Sequence, residues 1–196
     1  MTSSTAIESA FEDVRFLAGK LYDLTLPSDL RTRVSAGYFA VVQEHHHAIV
    51  ILLQHQRPLA TSAFAILRLQ FEAYVRGMWF SHCAKDNAIK SFMEGGKIPD
   101  MTSLIIAVQQ ASQSEGEYLS NFHKHNWSAL CSYTHTGAQQ IQRWNRGDVI
   151  EPSHSKAEIN EVLYFSGAIA KLSAISVAVL AGNDDLAEEI GKNVVY

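Results

Sequence analysis

The chain has 196 residues, of which 47% are apolar and 18% charged, with a formal net charge of −4. That length suits one domain with a sizeable core, and the composition is that of a globular protein rather than a disordered one. The acidic balance and the lack of any run of basic residues exclude a strong electrostatic grip on duplex DNA. Arg31, Arg33, Arg143 and Arg146 are the residues from which a local basic patch can be built, set against the plainer reading of ordinary surface arginines.

Cys83 and Cys131 are the two cysteines, and no CxxC or Cys-His cluster accompanies them, so neither a disulfide framework nor structural zinc is expected. The start, Met1-Thr-Ser-Ser-Thr, has no basic stretch leading into an apolar one and so does not read as a secretory signal. Reduced thiols and a cytoplasmic location follow as expectations.

In chain order, the first helix is expected over Ala6 to Leu24, with Ile7, Phe11, Val14, Leu17 and Leu21 on one face. Leu26-Pro27-Ser28-Asp29 breaks it and supplies an N-cap for a long helix from about Leu30 to Gln56. Pro58 ends that helix and can open the next, about Pro58 to Cys83. This third helix is apolar nearly all round (Phe64, Leu67, Phe71, Val75, Met78, Trp79, Phe80), which places it at the centre of a bundle. A short helix near Asn87 to Glu94 leads into the Gly95-Gly96-Lys97-Ile98-Pro99-Asp100 loop, an internal turn rather than a domain linker. Then come a helix near Met101 to Ser112, a segment from Tyr118 through Trp144, and a loop around Arg146-Gly147-Asp148 and Glu151-Pro152-Ser153. The helix from Lys156 to Ala181 is crowded with small residues and is expected to lie against the third. Its apolar run, Val162 to Leu180, carries Lys171 mid-way, which favours a buried helix over a membrane span. A last helix runs from Asp184 to Lys192 behind an Asn183 cap. No strand pattern competes. The expected fold is all-α, a bundle of about seven to nine helices around a buried central third helix, in one domain over 1–196 with residues 1–5 as a flexible tail.

Three constellations can carry chemistry. Arg68, Glu72 and Arg76 stand at i, i+4 and i+8 and form one line along the third helix, among apolar neighbours. Charges in that setting must be paired. The line is therefore either an internal salt-bridge network that sets register, or a pocket whose surplus arginine meets an anion. Ser132-Tyr133-Thr134-His135-Thr136-Gly137, with Trp127 and Cys131 before it, gathers hydroxyls around one imidazole. His135 can be a general acid or base there, or the cluster can be a helix start with its histidine satisfied in the core. Glu44-His45-His46-His47 has the ExxH spacing of carboxylate-bridged metal sites but lacks the second motif they need; His46 falls on the apolar stripe and reads as a core or interface histidine. His123 and His125 point to different sides of a helix. No metal or cofactor is expected.

Residues Leu67 to Phe80 (LRLQFEAYVRGMWF), taken with Trp127 and the Ser132–Gly137 segment, resemble a family of bacterial all-helical proteins of unknown function, distantly similar to the HEPN superfamily. The likeness spans about Ala60 to Ala181. It implies a homodimeric helical bundle in a bacterial defence or stress context, and HEPN domains include metal-independent RNases marked by an Arg, four to six residues, then a His. Arg76 and His82 satisfy that spacing, although Gly77 stands where the motif has a polar residue; His135 is the alternative histidine. The resemblance thus nominates Arg76, His82 and His135 as catalytic, with Arg68, Glu72, Trp127, Tyr133 and Thr136 lining a site for RNA or a small anionic ligand. A noncatalytic homodimer whose charged line serves register is the competing expectation.

Overall fold

Short polar side chains cap several of the helix starts. The computed structural model describes residues 3–111 and 115–192. After α1 (Ser3–Leu21), Asp29 caps α2 (Leu30–Gln54) by accepting the Thr32 N–H at 3.0 Å. α3 (Ala60–His82) begins with Leu59 in the cap position, so Pro58 lies outside the helix instead of opening it. α4 (Asp86–Met93), α5 (Met101–Ala111), α6 (Glu115–Thr134) and α7 (Ala138–Gln142) follow. Ser155 and Glu158 form a reciprocal capping box at the start of α8 (Lys156–Leu180). Asn183 then accepts the Leu186 N–H at 3.0 Å ahead of α9 (Asp184–Lys192). The described residues therefore hold nine helices, the all-α bundle expected. α1 already runs from Ser3; Met1 and Thr2, the rest of the expected tail, lie outside the described residues, as does Ser112.

α3 is the centre, packed against α2, α5, α6 and α8. Phe71, Tyr74 and Phe80 are sealed within it, each contributing on the order of 2 kcal/mol by leaving water. α2 approaches α3 closely enough that a Cβ added at Gly77 would sit 2.6 Å from Cε1 of the fully buried Phe39. The small residues of α8 do meet α3, yet more of that helix faces α2 and α1. α8 has the length and composition to cross a membrane, but 56% of its most apolar stretch is buried in the bundle and Lys171 reaches Asp13 of α1 at 2.8 Å. Leu17, Ala170, Ala174, Ala178, Leu186 and Ile190 form a second apolar cluster joining α1, α8 and α9.

A hairpin corrects the expectation of no strand. β1 (Asn145–Arg146) pairs antiparallel with β2 (Val149–Ile150) across Gly147-Asp148. Gly147 stands at φ 61°, the left-handed conformation that a tight hairpin turn needs at its first position. Two-residue strands are too short to leave a pattern of alternation.

Candidate functional site

Helical spacing alone brings the charged line together. Glu72 Oε1 accepts Arg68 Nε–H at 2.8 Å, and Glu72 Oε2 accepts an Arg76 Nη2 N–H at 2.9 Å. One carboxylate thus serves two guanidiniums, leaving one positive charge unbalanced. The line is graded in exposure: the Arg68 and Glu72 side chains are 15% and 12% exposed, Arg76 34%. Leu69, an apolar neighbour of the line, is 43% exposed.

The end of α6 supplies the rest. The His135 N–H reaches Cys131 O at 2.9 Å and the Gly137 N–H reaches Ser132 O at 2.7 Å. The second bond belongs to a Schellman-type stop, with Thr136 at φ 55° in the place glycine usually takes. Ser132–Gly137 is therefore the end of α6 and also leads into α7, with Gly137 at the N-cap position and Ser132 Oγ accepting the Gln139 N–H at 3.1 Å. Gly137 is required by closeness: a Cβ there would lie 2.7 Å from Ser132 Oγ. Thr134 Oγ1 donates to Ala65 O of α3 at 3.2 Å and shares that hydrogen with Leu130 O at 2.9 Å, tying the α6 terminus to α3.

That tie sets His135 against the charged line. Arg68 Nη1 meets His135 Nε2 at 2.5 Å. A guanidinium only donates, so Nε2 is the acceptor in this contact. The Arg68 guanidinium carbon lies 4.6 Å from the centre of the Trp127 ring, a cation–π contact, and His123 packs on the same indole at 4.5 Å. Burial holds His123 below the usual imidazole pKa. The resulting seam can do two things: hold α3 to α6, and present a net positive, half-shielded surface to an anion.

Five nominated residues converge: Arg68, Glu72, Arg76, Trp127 and His135. Three do not join them. Tyr133 is buried on the other side, with its ring 5.1 Å from Phe64 and its hydroxyl accepting Arg143 Nε–H at 3.4 Å. Thr136 is exposed and enters only through its backbone. His82 is exposed at the last position of α3, and no hydrogen bond or ion pair joins it to Arg76 among the described residues; six positions along a helix put the two on different faces. His123, read only as pointing to another side of its helix from His125, joins this seam, and its i, i+4 spacing to Trp127 was a readable sign.

The candidate basic patch is largely spoken for. Arg31 donates to Phe80 O at 2.8 Å and pairs with Asp86 at 2.6 Å, Arg143 pairs with Glu158, and Arg146 with Glu151 at 3.3 Å. His46 is a core residue, as expected, bonded through Nδ1 to Ser166 Oγ at 2.8 Å, while Glu44 and His47 are exposed. Among the described residues, no three His, Cys, Asp or Glu side chains are grouped to hold a metal.

No curated protein and no solved structure matches this chain. A family model does, over residues 39–194, so the likeness reaches well before Ala60 and takes in most of α2 and α9. The chain belongs to DUF6988, a family of unknown function.

Proposed function

We propose that this protein is a helical-bundle module that binds a small anionic group, a carboxylate or phosphate, at the seam of Arg68, Glu72, Arg76 and His135. The observation that carries this reading is the shared carboxylate: two guanidiniums on one Glu72 leave a positive charge that no ion pair balances among the described residues. Arg76 gives Glu72 one end of its fork and is a third exposed, so the remaining N–H donors are open to an incoming acceptor. Trp127 and His135 hold Arg68 in place, which limits the ordering cost of binding. Calorimetric titration with phosphate, AMP and succinate at low ionic strength tests the reading. Binding lost in Arg76→Ala and kept or strengthened in Glu72→Gln is expected; no binding of any of the three by the wild type refutes it.

A second reading, a HEPN-like metal-independent RNase of a bacterial defence or stress system, is favoured by one contact. Arg68 and His135, distant in sequence, meet directly, and an arginine beside an imidazole can stabilise phosphate charge and move a proton. In this reading Arg76 assists Arg68, and His135 takes the role first offered to His82. Incubation with mixed RNA in EDTA tests it: cleavage by the wild type that disappears in His135→Ala supports it, and no wild-type cleavage removes it. A homodimer is proposed with either reading, on the exposed apolar side chains Leu30, Val41 and Met93 along α2 and α4. Light scattering on the eluting peak measures it, and a monomer mass at high concentration excludes it.

A further inference from the structure

A cavity of about 150 Å³ lies between α3, α6 and α8, on the side of α6 that carries Tyr133. We propose that it binds a small organic ammonium ion of the quaternary, methylated type. The size is right: an apolar cavity of about 150 Å³ takes a molecule as large as benzene, and a trimethylammonium head is of similar bulk.

The walls are right too. Four of the lining side chains are aromatic, Phe64, Phe122, Tyr133 and Phe165. They are braced in pairs, Phe64 on Tyr133 at 5.1 Å and Phe122 on Phe165 at 5.2 Å between ring centres. Rings gathered around a cavity offer an alkylated cation both apolar contact and the attraction of their negative faces.

The charge around the cavity selects the sign of the guest. Glu158 and Glu161 of α8 both line it. Glu158 is occupied by Arg143 and by the Ser155 cap, so those charges cancel. Glu161 is exposed and has no ion pair among the described residues, which leaves a local excess of one negative charge. Burial holds the pKa of His154, which packs on Phe64 and beside Tyr133, below the usual imidazole value, which works against an opposing charge there.

Donor count separates a quaternary ion from a primary amine. A primary ammonium brings three N–H donors that each need an acceptor. Part of the acceptor capacity here is used within the protein: Glu158 as above, and the Tyr133 hydroxyl accepting from Arg143. An ammonium with no N–H needs only the field of Glu161 and the ring faces. The site is separate from the anion seam, so the two proposals stand or fall independently.

The test uses choline and its uncharged isostere, 3,3-dimethylbutan-1-ol, titrated into the whole chain and followed by amide NMR shifts. Choline is expected to give saturable shifts centred on Ala129, Leu130 and Val162, with the alcohol about 10-fold weaker or more. Glu161→Gln, a change on the exposed face of α8, is expected to bring choline down to the level of the alcohol. The proposal is overturned if choline does not bind, if the alcohol matches it in the wild type, or if Glu161→Gln leaves choline affinity unchanged. Ala129→Leu, which narrows the cavity, is expected to weaken both probes; unchanged binding in a folded Ala129→Leu variant places choline elsewhere and overturns the proposal as well.

Discussion

His46 makes the fold acid-sensitive by a calculable amount. Its imidazole is sealed where α2 meets α8, with Nδ1 on Ser166 Oγ and Nε2 without a partner among the described residues. Burial drives its pKa from 6.5 to about 4; Asp13 of α1 opposes this, while Lys171 of α8 and neighbouring His47 add to it. Gln70 of α3 donates to Ser166 O beside it at 3.0 Å and brings no charge. The unfolded chain therefore takes up a proton that the folded chain refuses, so this group's contribution to stability is full above pH 6.5, falls as pH drops toward 4, and is gone below that. The whole effect is about 3 kcal/mol, of which about 2 kcal/mol falls between pH 7 and pH 5. His46→Asn is the perturbation, since its amide keeps a polar atom near Nδ1 and does not titrate. Urea unfolding followed by circular dichroism at both pH values gives the difference. The variant starts less stable, because a ring is replaced by a smaller group, but it should lose about 2 kcal/mol less than the wild type on acidification. His45, His123 and His154, also held low by burial, are common to both proteins and cancel. Parallel pH profiles for the two proteins would refute the reasoning.

Three further changes have defined signs. Gly77→Ala forces a methyl into the buried Phe39 ring, 2.6 Å from Cε1, and is expected to cost about 1–3 kcal/mol in urea unfolding. Thr136→Gly relieves a β-branched residue at φ 55° and is expected to stabilise by about 1 kcal/mol, read as a raised melting temperature. Glu72→Gln leaves Arg68 and Arg76 without their counter-charge, and the loss should be about 2 kcal/mol, less than for a fully sealed pair because Arg76 is 34% exposed; unfolding at low and at high salt measures it, with the gap from wild type narrowing as salt rises.

Helical periodicity made the fold legible because each long helix buries one continuous face. α3 announced itself as the centre through the run from Phe64 to Phe80, and Lys171 within an apolar helix pointed correctly to burial with a partner. What stayed hidden depended on contacts between segments distant in sequence. Ser132–Gly137 has the hydroxyls of a helix start, and Ser132 does accept an N–H of α7, but only the backbone bonds back to Cys131 and Ser132 show that α6 stops there as well. The i, i+4, i+8 line was readable as a paired network, but that His135 and not His82 meets it depends on how α6 crosses α3, which no local pattern encodes. The Gly147-Asp148 turn was a hairpin signal of the Gly-first kind, overlooked because its strands are two residues long.

The gradient along the charged line bears on what each member does. A register device needs one arginine and one glutamate, and Arg68 with Glu72 already meets that need at 15% and 12% exposure, under Trp127 and against His135. Arg76 adds a second positive charge at the exposed end, where an ion pair is worth little to stability. Its guanidinium is oriented by Glu72 without being used up by it. In the proposed reading the two arginines therefore divide the work: Arg68 builds the seam between α3 and α6, and Arg76, held in position by the carboxylate they share, meets the anion.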